Sequence, residues 1–268
     1  MTASTPSTST PNDSSASAPS RVVLVTGGTR GIGRGIAEAF LAAGDRVWVC
    51  GRKEPDELPA VGPSQATFVS CNVRDAEDVE RMVSAIVERD GQLDVLINNA
   101  GGAPYKLAAE ASARFSASII DLNLTSALHC STAANAVMQR QPQGGAIVNI
   151  ASVSALRPSP GTAAYGAAKA GLLNLTTSLA VEWAPRVRVN AVSAGLIETE
   201  LSHLHYGDDE GIARVAATVP LGRMGRPGDV AACCIFLASA GAAYVSGANI
   251  VLHGGGERPA FLEASTAG

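Results

Sequence analysis

The chain has 268 residues, with 20 Lys plus Arg against 24 Asp plus Glu and a formal net charge of -4. Apolar residues make up 46% and charged residues 16%, which excludes full-length disorder, and the acidic balance argues against a nucleic-acid or anionic-membrane surface. The five cysteines (Cys50, Cys71, Cys130, Cys233, Cys234) are odd in number and lack a C-x-x-C, a pattern that suits neither a disulfide framework nor a metal site and fits a reduced cytoplasmic compartment.

Residues 1–20 are mostly Ser, Thr and Pro without Lys, Arg or an apolar run, so they read as a disordered tail, not a signal or transit peptide. From residue 21 short β-branched runs alternate with Ala-rich helical stretches. The predicted strands are 22–26, 46–50, 67–70, 95–98, 146–151, 187–192 and 249–252. The predicted helices are 31–43, 76–88, 112–139, 163–183, 211–217 and 229–238. No linker or composition break interrupts this order, which predicts a single α/β domain over 21–256, a doubly wound, seven-stranded parallel sheet of Rossmann type, followed by a C-terminal tail, 257–268. The apolar stretch 230–252 is broken by Ser239, Gly241, Ser246, Gly247 and Asn249, so it reads as a buried helix and a core strand, not a membrane span. In such a sheet ligands sit beyond the carboxyl ends of the strands.

The first strand runs into T-G-G-T-R-G-I-G (Thr26 to Gly33) and then a helix, the context of a nucleotide-phosphate turn. Gly27, Thr29, Arg30, Gly31, Ile32 and Gly33 are therefore candidate cofactor contacts: glycines admit the pyrophosphate to the backbone, and the helix start directs free N–H groups at it. The second strand ends V-W-V-C-G-R-K, with Gly51 where an acidic residue would meet the ribose hydroxyl of NAD, and Arg52 and Lys53 following. Positive charge at that point favours the 2'-phosphate of NADP over NAD.

Tyr165 and Lys169, in Y-G-A-A-K, emerge from one helix face a turn apart. An ammonium beside a phenol stabilises the phenolate and lowers its pKa, which fits Tyr165 for proton exchange with a carbonyl or alcohol oxygen. Ser152, in I-V-N-I-A-S, follows a strand and places a hydroxyl where it can hold the substrate oxygen against that phenol. Another strand ends N-N-A-G (Asn98 to Gly101), whose small residues permit close approach of a cofactor.

In order and spacing these motifs resemble the short-chain dehydrogenase/reductase family over about residues 21–256. Within the family the pattern is similar to the 3-oxoacyl carrier-protein reductase type, including P-L-G-R-M-G-R-P-G-D-V (Pro220 to Val230). The resemblance implies that Tyr165 is the catalytic acid/base, that Lys169 lowers its pKa and binds the nicotinamide ribose, and that Ser152 polarises the carbonyl. It further implies that Asn123, in D-L-N-L, kinks its helix and holds a water linking the lysine to solvent. Asn72, Val73, Asn99, Ala100 and Gly101 match cofactor-contacting positions, and Ile197 and Thr199 match those that fix the nicotinamide carboxamide. Three positions depart from the family pattern. Asn72 replaces an acidic residue at the adenine, and Ala194-Gly195 replaces Pro-Gly, which predicts a looser loop. The link from Glu182 to Asn190 is one residue short.

The expected activity is hydride transfer between NADP and a carbonyl or secondary alcohol, foremost reduction of a 3-oxoacyl thioester or similar hydrophobic ketone. The alternatives are a dehydrogenase of a steroid-like or polycyclic alcohol and a non-catalytic NADP-sensing protein. The segment after Thr199, L-S-H-L-H-Y-G-D-D-E, is expected to cover the substrate, and the i, i+2 spacing of His203 and His205 argues against a metal site there. By family analogy the partners are a small-molecule substrate and further copies of the chain in a dimer or tetramer, with no nucleic acid and no membrane.

Overall fold

The computed structural model describes residues 20–257. The expectations for residues 1–19 and 258–268 lie outside the described residues.

Strand β1 (Val22–Thr26) leads through the glycine turn into α1 (Gly31–Ala42), then β2 (Arg46–Gly51), a small hairpin of β3 (Ala60–Val61) and β4 (Ser64–Gln65), and β5 (Thr67–Ser70). Next come α2 (Ala76–Asp90), β6 (Val95–Asn98), α3 (Ala113–Ile120), a π-helical turn at Asp121–Thr125 and α4 (Ser126–Met138). The second half contains β7 (Gly145–Ser152), α5 (Ala163–Glu182), β8 (Val187–Ala194), α6 (His203–Tyr206), α7 (Asp209–Ala217), α8 (Pro227–Ala238) and β9 (Asn249–Leu252).

Seven strands form one sheet in the order β5-β2-β1-β6-β7-β8-β9, and every pair is parallel. The direction of winding reverses between β1 and β6, and a cleft opens beyond the carboxyl ends of the strands at such a switch point. Both faces are covered, which is why the strands are apolar throughout and not alternating. On one face Val23, Val25, Val47, Val49, Val95 and Ile97 pack against Ile36 and Phe40 of α1 and Val230, Cys234 and Leu237 of α8. On the other, Val22, Leu24, Trp48, Leu96 and Ile147 meet Val79, Met82 and Ile86 of α2, Ala134 and Met138 of α4, and Leu179 of α5.

The seven expected sheet strands and the single domain are present. The stretch 230–252 is a buried helix followed by a strand, and among the described residues no helix is long and apolar enough to cross a membrane. Three details differ from the sequence expectation. The long helix expected over 112–139 is interrupted by the π turn, the β3/β4 hairpin appears between β2 and β5, and β7 and β8 run on to Ser152 and Ala194. A two-residue strand offers no periodicity to read, and a π turn keeps its side chains in a helical pattern.

Candidate active site

A cleft of about 1070 Å³ crosses the carboxyl ends of β1, β2, β5, β6, β7 and β8. At one end lie Gly27, Thr29, Arg30, Gly31, Ile32 and Gly33 from the glycine turn, with Gly51, Arg52, Lys53, Asn72, Val73 and Arg74 beyond. At the other lie Asn99, Ala100, Gly101, Ser152, Tyr165, Lys169, Gly195 and Thr199. The fold thus brings together nearly all the residues singled out from the sequence.

The glycine turn is tightly packed. A Cβ on Gly33 would stand 2.3 Å from the Gly27 carbonyl oxygen, so only glycine lets α1 start this close to the strand. The Asn99 side chain helps to hold the turn: its Nδ2 donates to the carbonyls of Thr26 (2.9 Å) and Gly27 (3.1 Å), while Thr26 Oγ1 accepts from the N–H groups of Asn99 and Ala100, both at 3.0 Å. Asn99 therefore lines the cleft, but its amide nitrogen is spent on the turn.

At the far end of β2, a Cβ on Gly51 would meet nothing closer than 3.6 Å, and the carboxylate nearest along the chain in the cleft lining is Glu54, three positions on. Arg52 and Lys53 are exposed beside it, and Arg74 joins them from the segment after β5. Arg74 was not singled out from the sequence, since only the pairing of β5 beside β2 brings the segment after β5 to the same cleft as Arg52. Asn72 Oδ1 has only long contacts, at 3.5 and 3.4 Å to Arg74 N and Nε, so its acceptor is largely open. The glycine-lined helix start and the open acceptor on Asn72 together fit a dinucleotide.

Ser152 is the last residue of β7, where a short turn capped by its own Oγ (Ser154 N, 3.1 Å) redirects the chain. The neighbouring Ser152 hydroxyl lowers the Tyr165 phenol pKa, but desolvation is the larger influence and leaves Tyr165 above its ordinary value. Lys169 is 4% exposed, and its Nζ lies 5.7 Å from the Tyr165 ring centroid and donates to the Ile150 carbonyl at 2.8 Å. Desolvation pulls Lys169 from 10.5 down to about 8. The balance at Tyr165 thus differs from the sequence expectation of a phenol lowered by its ammonium: burial dominates it and weakens the hold of Lys169 on its own charge. The phenol is held protonated, the form that can give a proton.

Asn123 sits in the π turn, 1% exposed, and does not line the cleft. Its Nδ2 donates to the carbonyls of Ile119 and Gly102, both at 2.9 Å, and its Oδ1 accepts from Gly102 N at 2.8 Å. The side chain clamps the loop after β6 to the helix. A Cβ on Gly101 would come within 2.6 Å of Asn123 Oδ1 and 3.2 Å of Lys169 Nζ, so this glycine is required. Beneath these groups a buried network that sequence reasoning missed ties the sheet together. Asn98 Nδ2 donates to Asn149 Oδ1 and Ser131 Oγ, both at 2.8 Å, and Asn149 Nδ2 donates to Thr176 Oγ1 at 2.9 Å.

Ile197 does not line the cleft either; its side chain packs on the core and against Gly225. The loop around it is firmly held, contrary to the expectation drawn from Ala194-Gly195. Gly195 N donates to the Leu252 carbonyl (2.8 Å), Gly225 N to Leu196 O (2.9 Å) and Glu198 N to Gly225 O (2.8 Å), so backbone bonds do the work of the missing proline. The following segment supplies Leu201 and His205 to the cleft. A second hollow of about 370 Å³ adjoins at Gly195 and is walled by Val153, Leu156, Leu196 and Val219 together with Arg157, His253 and Glu257.

A family model described as Enoyl-(Acyl carrier protein) reductase matches residues 27–257, which hold every sheet strand but β1 and all the residues that line the cleft. The chain belongs to the short-chain dehydrogenase/reductase family. It is 37% identical over 247 residues to L-rhamnose 1-dehydrogenase (NAD(P)(+)) of Azotobacter vinelandii, covering 88% of this chain and 96% of that one. It is 38% identical over 240 residues to the 3-oxoacyl-[acyl-carrier-protein] reductase FabG of Staphylococcus aureus, covering 87% and 96%. Among solved structures it resembles the aldohexose dehydrogenase of Thermoplasma acidophilum with a TM-score of 0.82 and 33% identity, over 88% of this chain and 93% of that one. As a short-chain dehydrogenase/reductase, the protein is an oxidoreductase of alcohol and ketone groups that uses a nicotinamide dinucleotide.

Proposed function

We propose that this enzyme is an NADP-linked carbonyl reductase with Tyr165 as its proton donor, acting on a 3-oxoacyl thioester or a similar hydrophobic ketone. The observation that carries the reading is the convergence of Ser152, Tyr165 and Lys169 at one end of a cleft whose other end carries Arg52, Lys53 and Arg74, with the Lys169 Nζ 5.7 Å from the Tyr165 ring centroid. The bound dinucleotide supplies the hydride. Tyr165 gives its phenolic proton to the carbonyl oxygen as negative charge builds there, and the Ser152 hydroxyl orients that oxygen. Lys169 supports the phenolate left behind and presents its ammonium to the nicotinamide ribose. Asn123 is a positioning residue, keeping Gly101 and Gly102 clear of the Lys169 head. Gly27, Thr29, Arg30, Gly31, Ile32 and Gly33 receive the pyrophosphate, and Asn72, Val73, Asn99, Ala100 and Gly101 line the path of the dinucleotide. Thr199 and the backbone of Ile197 meet the carboxamide.

NADP is favoured by Arg52, Lys53 and Arg74 at the end of β2, where they outnumber the single carboxylate, Glu54. The hydrophobic walls of the adjoining hollow support a ketone substrate with an apolar chain. A second reading is oxidation of a sugar, favoured by the Arg157–Glu257 ion pair on the rim of that hollow and by the dehydrogenases of rhamnose and aldohexoses among the relatives. The unpaired cysteines support a cytoplasmic location, and exposed Phe236, Tyr244 and Val251 near the β9 edge support a homo-oligomer.

The test crosses cofactor with substrate. NADPH oxidation with a 3-oxoacyl thioester and a steroid ketone, and NADP+ reduction with a hexose, are compared for wild type and Arg52→Asp. Thioester reduction is expected to dominate, and Arg52→Asp is expected to lower NADPH preference over NADH by about tenfold or more, the scale of one lost charged contact. Exclusive hexose oxidation would replace the first reading by the second, and an unchanged cofactor ratio would show Arg52 to be a surface charge only.

A further inference from the structure

Helix α1 begins without a cap of its own. Its N-cap residue, Arg30, makes no side-chain capping bond, and its first turn contains no acidic residue. The free N–H of Gly31 is instead taken by a carboxylate from 169 positions further along the chain, Glu200, whose Oε1 accepts it at 2.9 Å. Glu200 is delivered by a tight turn after β8, in which Thr199 N donates to Ser202 Oγ (2.9 Å) and Ser202 N to the Thr199 carbonyl (3.0 Å). Ser202 is 3% exposed and anchors that turn, whereas the Glu200 side chain lies at the surface.

A carboxylate and a pyrophosphate are both attracted to the positive end of a helix, and two anions in one small volume repel each other. Taking the cleft as a dinucleotide site, we infer that Glu200 is an internal occupant of the phosphate position and a determinant of cofactor affinity. Its carboxylate leaves Gly31 when the pyrophosphate settles at the start of α1. The interaction lost on that exchange is subtracted from the binding free energy.

Equilibrium titration of nicotinamide fluorescence with the full-length protein tests this directly. Glu200→Gln keeps the shape and an acceptor oxygen but removes the charge; Glu200→Ala removes both. Each is expected to bind NADPH about three- to tenfold more tightly than wild type, the scale of an anion at a helix start. Adenosine 2'-monophosphate, which has a 2'-phosphate but no pyrophosphate, is expected to bind all three proteins alike when titrated calorimetrically. Unchanged or weaker NADPH binding by Glu200→Gln, with its melting temperature preserved, overturns the inference. Equal tightening of adenosine 2'-monophosphate also overturns it, because the effect is then a general field. Failure of the wild type to bind NADPH at millimolar concentration removes the cofactor reading itself, whereas wild-type binding with unaltered variants removes only the role of Glu200.

Discussion

Lys169 gives the site a pH dependence whose sign follows from burial. Its ammonium, desolvated between Tyr165 and the Ile150 carbonyl, loses its proton at about 8 instead of 10.5. Between these values the unfolded chain binds more protons than the folded one, so the contribution of Lys169 to stability rises with pH across that window. In the proposed reaction its contribution runs the other way, since the charge that would support the Tyr165 phenolate disappears above about 8. The kcat/KM for ketone reduction is therefore expected to hold level at neutral pH and to fall as pH rises through about 8. A profile level to pH of about 9.5 would show that the lysine charge is not used. At this scale Ser152, Tyr165 and Lys169 are legible in the sequence because local spacing places them: one ends a strand and the others sit a turn apart on one helix. Arg74 and Glu200 are not, because their placement depends on strand pairing and on a contact across 169 positions. The direction of the Tyr165 shift is not legible either, since burial is a property of the packed molecule.

The element scale shows how the strand ends are held in register beneath the chemistry. Asn98 on β6 and Asn149 on β7 face each other in the sheet and bond to Ser131 of α4 and Thr176 of α5. Asn149 is wholly buried, so Asn149→Ala would leave Asn98 Nδ2 and Thr176 Oγ1 each short of a partner in the core. Urea denaturation is expected to show a loss of about 2–4 kcal/mol, the cost of stranded buried polar groups, and a loss below about 0.5 kcal/mol would mean that the network is dispensable. The strands themselves were readable from their β-branched runs and the main helices from their periodicity. The π turn at Asp121–Thr125 was not, although the resemblance to the family did mark Asn123 as the place where the helix is kinked. Widening a helix by one residue leaves hydrophobic periodicity nearly unchanged, and the bond that pins it, Asn123 Nδ2 to the Ile119 carbonyl, uses a side chain that composition alone cannot orient.

For the whole molecule, the two apolar layers share one sheet, so the described residues form one cooperative unit. Denaturation is expected to follow a single transition. NADP at about 100 times its Kd is expected to stabilise it by about 2.7 kcal/mol through mass action, and NAD at the same concentration by less. Two transitions with NADP shifting only one would break the molecule into separate units. Fold class was open to prediction at this scale because a parallel sheet imposes an alternating pattern along the entire chain, whereas the order of the strands within the sheet was not. The substrate was not, because the walls of the adjoining hollow come from four separated stretches: 153–157, 195–196, 219 and 251–257.

The account rests on Tyr165 as the group that moves the proton, and the most direct test is single-turnover oxidation of bound NADPH by a 3-oxoacyl thioester in wild type and Tyr165→Phe. The variant keeps the ring against Lys169 and loses only the hydroxyl. It is expected to bind NADPH within about twofold of wild type while the rate of turnover falls by about a thousandfold, within the range for loss of a general acid. A rate within tenfold of wild type, with binding intact, would contradict the assignment.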